Sequence, residues 1–328
     1  MSALPQYGSH LDAHATMRAT VIDRYGGPEV LRPTMVPRPV PTRGQVLVRT
    51  RFIGVNPKDI IVRKGKFEVA TGRTFPLLVG HDIAGEVVEA GLGADLAVGD
   101  VVYGMINDFA GRAYAEYAAV DSRQLAIAPS NIELSAAAAV PLAAQTALQM
   151  LRNNSHVKPG QSVLINGASG GVGVFAVQIA KILGAHVSAV CSYRNVDLVQ
   201  ELGADRVIDY TKTDLPSLEE RFDAILDVFG NYRFDALQHL LTPKGVYVQT
   251  IPSARIFKDV AKTFVRRKRA KLVVVRSRRK QLDWIRQQIE AGRLRVVVDR
   301  SFSLEDAAEA HRYIETKRAR GKVVLAVN

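Results

Sequence analysis

A glycine-rich turn at residues 166–173 is the strongest chemical signal in this sequence. It reads Asn-Gly-Ala-Ser-Gly-Gly-Val-Gly, follows an apolar segment typical of a strand, and opens a segment with helical spacing of apolar residues. Glycines let a backbone approach a pyrophosphate, and a helix N-terminus offers unpaired N–H groups and the positive end of the helix dipole. Matched to G-x-G-x-x-G, the fingerprint positions are Ala168, Gly170 and Gly173, so alanine replaces the first glycine. The alternative is a glycine turn in a non-binding α/β domain.

The strand after this turn decides which dinucleotide is expected. NAD sites usually place an Asp or Glu roughly 20 residues further on, where it accepts a hydrogen bond from the ribose 2′-OH. Here the strand ends Val190-Cys-Ser-Tyr-Arg194, and the next acid is Asp197. Ser192 and Arg194 could instead hold a 2′-phosphate, so the sequence favours NADPH. The alternative is that Arg194 is only a solvated residue at a helix start.

The single cysteine, Cys191, restricts metal chemistry and compartment. A structural zinc site needs about four Cys or His ligands, and one cysteine cannot form an internal disulfide. We therefore expect no metal site and a reducing, cytoplasmic environment. Apolar runs are too short to span a bilayer, so no membrane insertion is expected.

The secondary structure that must position the turn follows two different patterns along the 328 residues. Residues 17–129 show short alternating strands separated by Gly and Pro, which indicates a barrel or sandwich. Residues 130–277 alternate strands with helices, which indicates a parallel, doubly wound sheet. Residues 278–328 are expected to fold back onto the first region, and residues 1–16 to form a flexible extension. The predicted fold class is therefore α/β, with a β-rich domain and a doubly wound domain.

Several motifs, in order over nearly the whole chain, carry a family resemblance. They are Gly54-Val-Asn-Pro-Lys-Asp59, Gly80-His-Asp-Ile-Ala-Gly85, Val98-Gly-Asp-Val-Val-Tyr-Gly104, Pro141-Leu-Ala-Ala-Gln-Thr-Ala147, Gly167-Ala-Ser-Gly-Gly-Val-Gly173, Leu202-Gly-Ala-Asp205 with Val207-Ile-Asp-Tyr210, and Gly321-Lys-Val-Val324. With them the chain resembles the medium-chain dehydrogenase/reductase superfamily, and within it the zinc-independent quinone oxidoreductase branch, to which ζ-crystallin is similar. The resemblance implies a GroES-like substrate domain, a Rossmann NADP-binding domain and a cleft between them.

The resemblance also assigns roles near the substrate. In the zinc-free branch the Asn of the first motif lies beside the nicotinamide, and this catalytic role falls on Asn56, where zinc-dependent relatives have a cysteine ligand. His81 stands where the zinc enzymes keep a histidine, and we expect it to pack or to line the cleft. Many members have a substrate-lining tyrosine at the position of Ile61. Lys58 is the other candidate substrate contact, and a surface ion pair with Asp59 is the alternative.

The expected cofactor contacts extend beyond the fingerprint. Tyr210 and Lys317 match positions that help to bind the 2′-phosphate in similar enzymes; the alternatives are a surface tyrosine and a solvated lysine. The complete set of expected cofactor-binding residues is Asn56, Thr146, Ala168, Ser169, Gly170, Gly171, Val172, Gly173, Ser192, Arg194, Tyr210 and Lys317.

The activity that the resemblance implies is NADPH-dependent reduction of a quinone or an α,β-unsaturated carbonyl compound. Hydride transfer leaves negative charge on a substrate oxygen. A donor such as the Asn56 amide, Lys58, a ribose hydroxyl or water could stabilise or protonate that oxygen.

A basic stretch at residues 255–280 supports a rival function. Twelve Lys or Arg stand there with one acid, Asp259, in a chain of net charge +12. Such a patch could attract nucleic acid or an anionic membrane surface, so the rival is an NADPH- or nucleic-acid-binding protein with little turnover. Phe257 and Phe264 are too few for a base-stacking platform. We favour a solvated rim that helps to steer the cofactor, and do not expect nucleic acid as a partner.

The run Leu272–Val275 predicts the last strand of the parallel sheet. An apolar strand is hazardous as a free sheet edge. In similar enzymes the last strand pairs across a two-fold axis. We therefore expect a homodimer.

Overall fold

Strands and helices are assigned over residues 15–328, the part of the chain that the computed structural model describes. The strands are β1 (Thr16–Ile22), β2 (Leu31–Pro37), β3 (Gln45–Val55), β4 (Leu77–Leu78), β5 (Asp82–Ala90), β6 (Val101–Met105), β7 (Tyr117–Asp121), β8 (Leu125–Ile127), β9 (Ser162–Asn166), β10 (His186–Cys191), β11 (Arg206–Asp209), β12 (Phe222–Asp227), β13 (Leu241–Gln249), β14 (Arg269–Leu272), β15 (Val298–Ser303) and β16 (Lys322–Ala326). The α-helices are α1 (Pro57–Arg63), α2 (Glu68–Thr71), α3 (Leu134–Ala138), α4 (Pro141–Leu148), α5 (Gly173–Ile182), α6 (Val196–Glu201), α7 (Phe234–Leu237), α8 (Ala254–Thr263), α9 (Arg279–Glu290) and α10 (Ala307–Glu315). The predicted extension, residues 1–16, lies outside the described residues apart from its last two.

Six parallel strands form one sheet, in the order β11-β10-β9-β12-β13-β14. This is the order of a doubly wound nucleotide-binding fold, whose crevice opens at the carboxyl ends of the strands where the order reverses, here between β9 and β12. The predicted alternation of strands and helices is therefore confirmed. The glycine turn connects β9 to α5 at this crevice.

A second sheet joins the first part of the chain to its tail. Its strand order is β15-β16-β3-β5-β6-β8, and β7 also pairs with β3. On one side of β3 the tail strand β16 places Val323 opposite Val55. On the other side β5 places Asp82 opposite Gly54. The end of β3 therefore lies between the starts of β5 and β16, and the expected return of the tail is confirmed.

The last strand of the parallel sheet lies earlier than predicted. The strand expected at Leu272–Val275 is instead β14, Arg269–Leu272, which pairs with β13 up to Gln249. Val273 N–H still donates to the Gln249 carbonyl at 3.0 Å, but β13 ends there, so the following residues have no partner strand within the described chain. The sheet edge is therefore basic rather than apolar.

Candidate active site

The glycines of the turn differ in what the fold requires of them. Gly167 has a φ of +85°, in the left-handed region that favours glycine. A Cβ on Gly173 would lie 2.1 Å from the Gly167 carbonyl oxygen, so the packing of α5 under the turn excludes a side chain there. A Cβ on Gly170 would meet nothing closer than 3.5 Å, which is ordinary contact. The fold therefore requires Gly167 and Gly173 but not Gly170.

Three of the predicted cofactor ligands lie together beyond this turn. Ser192 and Arg194 follow β10 and Tyr210 follows β11, and these strands are neighbours with Cys191 opposite Asp209. Arg194 and Tyr210 are exposed. The loop is held to the turn because the Asn195 side-chain amide donates to the Ser169 hydroxyl at 2.9 Å.

Lys317 and Thr146 lie apart from that group. The Lys317 ammonium lies 5.1 Å from the centre of the Phe229 ring, and Phe229 follows β12, on the opposite side of β9 from β10. No hydrogen bond between described residues joins Lys317 to the loops after β10 and β11. Arg320 contacts that region instead, donating to the Arg194 carbonyl at 3.1 Å. The Thr146 hydroxyl is buried and donates to the Leu142 carbonyl at 2.7 Å within α4.

A buried polar cluster of three residues, which we call the Asn56 cluster, lies where β3, β5 and β16 meet. It consists of Asn56, Asp82 and Lys322, which are 1%, 0% and 4% exposed. The Lys322 ammonium donates to the Asn56 side-chain oxygen and to the Val55 carbonyl, and it lies 3.8 Å from an Asp82 carboxylate oxygen. The antiparallel register of the three strands brings these residues together.

Both N–H groups of the Asn56 side-chain amide already donate hydrogen bonds within the protein. Its two hydrogens go to the Gly54 carbonyl at 3.1 Å and to Asp82 at 2.9 Å. Its oxygen accepts from Lys322 and keeps one further acceptor position. The expectation that this amide donates to a substrate oxygen is therefore wrong in this arrangement. Asn56 can accept a hydrogen bond but has no N–H to spare.

Lys322 connects the Asn56 cluster to the glycine turn. A Cβ on Gly171 would lie 3.0 Å from Cδ of Lys322, so the lysine stem packs against the turn. The preceding residue, Gly321, forms a β-bridge with Gly170, and its N–H donates to the Ser169 carbonyl at 2.9 Å. Residues 321 and 322 of the tail therefore contact both Asn56 and the glycine turn, which is the expected pyrophosphate site.

Burial sets the electrostatics of the cluster. Loss of solvent raises the pKa of Asp82 to about 7, although Lys322 and the Asn56 amide oppose this rise. Loss of solvent also lowers the pKa of Lys322, although Asp82 opposes it. The Leu142 N–H, in the first turn of α4, donates to Asp82 at 2.9 Å and fixes the second carboxylate oxygen.

A second buried network supports the backbone of Asn56. Asp59 accepts from the Asn56 N–H at 2.8 Å and contacts His81 at 2.5 Å. The Tyr114 hydroxyl joins Asp59 to His311, at 3.3 Å and 2.8 Å. The surface ion pair considered for Asp59 is therefore wrong, because Asp59 is fully buried and pairs with His81. His81 packs in this network, as expected.

The two predicted substrate contacts, Lys58 and Ile61, lie on α1 and are half-buried. Burial lowers the pKa of Lys58, and the nearby Asp59 opposes the shift. Lys58 therefore releases a proton more readily than a solvated lysine. Ile61 contributes no polar group to the helix surface that it shares with Lys58.

Two buried groups should titrate with opposite effects on stability. The pKa of Asp82, about 7, lies above its ordinary value of 3.8, so its stabilising contribution is lost as pH rises from about 4 to about 7. Burial lowers the pKa of His311 from 6.5 to about 4, so its contribution is lost as pH falls through that range. The D82N variant lacks the Asp82 titration. As pH rises from about 4 to about 7, we therefore expect the unfolding free energy of D82N minus that of wild type to increase, by up to about 1.4 kcal/mol per pH unit. Urea unfolding across this range would measure it, and parallel curves for the two proteins would contradict it.

The described residues offer no zinc site. No three or more His, Cys, Asp or Glu side chains among residues 15–328 are grouped so that they could hold a metal ion. His81 faces Asp59 and the Phe109 carbonyl. Cys191 is buried, which together with Asp209 raises its pKa to about 11, so its thiol is a poor ligand and nucleophile at neutral pH.

Comparison with known proteins shows the family of this chain. Residues 42–130 match the alcohol dehydrogenase GroES-like domain, and residues 202–325 match the family described as zinc-binding dehydrogenase. The chloroplastic quinone oxidoreductase of Triphysaria versicolor is 32% identical over 322 residues, covering 94% of this chain and 98% of that protein. The chain belongs to the quinone oxidoreductase branch of the medium-chain dehydrogenase/reductases.

Further relatives of this oxidoreductase differ in the substrate that their names give. The chloroplastic NADPH-dependent alkenal/one oxidoreductase of Arabidopsis thaliana is 35% identical, over 94% of this chain and 79% of that protein. The structure of the quinone oxidoreductase from Coxiella burnetii superposes with a TM-score of 0.88 at 30% identity, covering 96% of this chain and all of that one. The predicted family and the predicted GroES-like and Rossmann architecture are confirmed.

Sequence reasoning did not select Asp82, Lys322 or Arg320, which the structure places in contact with predicted site residues. Asp82 and Lys322 lie inside motifs that were used only to establish the family resemblance. For Asp82 and Lys322 a usable signal was present, because each charged residue directly precedes apolar residues at the start of a strand, Asp-Ile-Ala and Lys-Val-Val-Leu. A charge at such a position needs a buried partner.

Proposed function

We propose that this oxidoreductase uses NADPH to reduce a quinone or an α,β-unsaturated carbonyl compound, without zinc. One observation carries the proposal: Lys322 and Gly321 join Asn56 to a glycine turn that lies at the N-terminus of α5. Quinone and alkenal/one reduction are the activities named for the relatives. Residues 130–277 would form the cofactor domain, and residues 17–129 with 278–328 the substrate domain.

The cofactor would be held by the predicted ligands in two groups. The turn, Ala168 to Gly173, would bind the pyrophosphate through backbone N–H groups, helped by the dipole of α5. Ser192, Arg194 and Tyr210 would surround the 2′-phosphate. Thr146 and Lys317 would contribute from the other side of the turn. A bound nicotinamide supplies the hydride ion of the reduction.

Within the site, Asn56 would orient the cofactor rather than bind the developing oxyanion. Its one open acceptor position suits an N–H or O–H donor of the nicotinamide riboside. The proton for the substrate would then come from Lys58, whose pKa burial lowers, or from water. Ile61, in place of the usual tyrosine, leaves the pocket wall apolar and favours substrates that need no hydroxyl contact there.

A panel of quinones and enones, followed through NADPH consumption, tests the activity. Turnover of at least one class by protein stripped with a chelator is the expected result. Essential, stoichiometric zinc would overturn the zinc-free proposal. Tighter binding of NADH than of NADPH, in a nicotinamide fluorescence titration, would overturn the cofactor proposal.

Arg194 should carry much of the preference for NADPH. Replacing Arg194 with alanine removes an always-charged group from the proposed phosphate site, so we expect NADPH to bind about tenfold more weakly and NADH within about twofold of wild type. The matched control is K212A, which removes an exposed charge from the neighbouring loop. Equal losses for both dinucleotides in R194A would show that the 2′-phosphate does not lie there.

The proposal also includes the oligomeric state of the protein and its cellular compartment. The strand pairing of β14 leaves an open sheet edge in the described chain, which supports a homodimer. One cysteine and no disulfide suit a reducing compartment, and we keep the cytoplasm as the proposal. No helix among the described residues is long and apolar enough to cross a membrane.

A further inference from the structure

The basic stretch contains a helix whose outward face is both cationic and aromatic. Helix α8 buries Ile256, Asp259 and Thr263 against the sheet. Its outward side carries Phe257, and Lys258 and Lys262 one helical turn apart. Phe264 and Val265 directly follow the last residue of the helix, in the turn that leads to β14. This face is a consequence of the 3.6-residue period, which places basic and apolar strips side by side.

The apolar residues of this face are unusually exposed. Phe257, Phe264 and Val265 are 57%, 76% and 89% exposed. The helix is nevertheless held firmly, because the Thr263 hydroxyl accepts from the Ala270 N–H at 2.9 Å and donates to the Asp259 carbonyl at 2.8 Å. Phe257 is thus carried by a packed helix, and Phe264 and Val265 follow its anchored C-terminal end.

The cations of this face have no carboxylate partners in the described chain. None of the ion pairs within residues 15–328 involves Lys258, Lys262 or the run Arg266–Arg269, and Asp259 is buried. Lys268 is used internally, donating to the Gln238 carbonyl at 2.8 Å. The remaining charges face solvent.

Topology separates the C-terminal part of this surface, residues 264–269, from the proposed cofactor turn. Residues 264–268 lead into the start of β14, at the amino ends of the parallel strands. The glycine turn follows the carboxyl end of β9, at the opposite end of the parallel strands. Steering of the cofactor, which the sequence favoured, therefore does not account for the cluster at 266–269.

We propose that this face, Phe257, Lys258, Lys262, Phe264, Val265 and Arg266, docks on an anionic membrane surface. The cations would lie at the headgroups, and the two rings and the valine would enter the headgroup–acyl boundary. Phosphates of a nucleic acid would use the cations equally, but an almost fully exposed aliphatic side chain beside the rings gains nothing from them. The inference is independent of the redox reaction.

Co-sedimentation with vesicles tests this docking. The full chain should bind phosphatidylcholine vesicles that contain roughly 30 mol% phosphatidylglycerol, should not bind pure phosphatidylcholine, and should be released by salt. We expect F257S/F264S and K258E/K262E each to bind about tenfold more weakly or worse. Both pairs are solvent-exposed, so thermal unfolding should be unchanged.

Matched controls make the same chemical changes elsewhere. V69S/L92S removes two apolar side chains that are 105% and 78% exposed, and R24E/R43E reverses two exposed charges. Both should bind vesicles as wild type does. Equal loss in R24E/R43E would show that only net charge matters, and equal loss in V69S/L92S would show that any exposed apolar side chain serves. Either result would overturn the proposal.

Two other results would also overturn it. Salt-sensitive binding of a short single-stranded RNA that depends on Lys258 but not on Phe257, without vesicle binding, would assign the surface to nucleic acid. Dissociation of a dimer by F257S/F264S in light scattering, again without vesicle binding, would assign it to a second copy of the chain.

Discussion

Replacing Gly170 with alanine should leave the apoprotein folded and weaken NADPH binding by at least about thirtyfold. A Cβ there has room in the protein, with its nearest neighbour at 3.5 Å. It would project from the turn where the pyrophosphate must approach the backbone for its N–H groups to reach the phosphate oxygens. Fluorescence titration with NADPH and thermal unfolding of the same preparation measure both quantities.

Gly173 provides the contrasting variant. Its Cβ would lie 2.1 Å from the Gly167 oxygen, so G173A should lower the unfolding temperature as well as NADPH affinity. The contrast separates a glycine kept for the ligand from a glycine kept for the fold. If G170A binds NADPH as wild type does, the pyrophosphate does not lie against this turn and the cofactor site must be moved.

The fold could be predicted because its signals are local. Alternating strands and helices after residue 130, and the turn between β9 and α5, follow from periodicity and from glycine chemistry over short windows. The error at β14 has the opposite origin. Val273 to Val275 have strong strand character, but whether they pair depends on where β13 ends, and that is set by the loop after Gln249.

The candidate site was only half predictable for a related reason. Asn56 and the turn were each found through a short motif, residues 54–59 and residues 166–173. The hydrogen-bond state of the Asn56 amide depends on Asp82 and Lys322, which meet it only through the pairing of β3 with β5 and β16. The sequence contains these residues but does not give the strand register that joins them. For that reason the Asn56 amide was included among the possible donors to the substrate oxygen, although its two N–H groups are already used within the protein.

Replacing Lys322 with methionine should lower kcat about a hundredfold while changing the Kd for NADPH by less than about threefold. Methionine keeps the unbranched stem against Gly171 but removes the ammonium that holds the Asn56 oxygen. A displacement of about 1 Å in a reacting group can cost this much in rate. Single-turnover hydride transfer, followed by nicotinamide absorbance, measures the loss.

The variant K322M also leaves the Asp82 carboxyl buried without its cation and should lower the unfolding free energy. The loss should be smaller than the roughly 3–5 kcal/mol of a broken buried ion pair, because the carboxyl, whose pKa is already about 7, can take up a proton. The double variant K322M/D82N removes both charges and should recover part of that stability. A neutral amide needs no counter-ion, but it has one acceptor oxygen where Asp82 accepts N–H groups on two. It should not recover kcat, because the Asn56 oxygen still lacks its ammonium donor. Recovery of both would show that Lys322 only neutralises Asp82. Recovery of stability alone would assign Lys322 to the positioning of Asn56, a role that its burial and its three oxygen neighbours support.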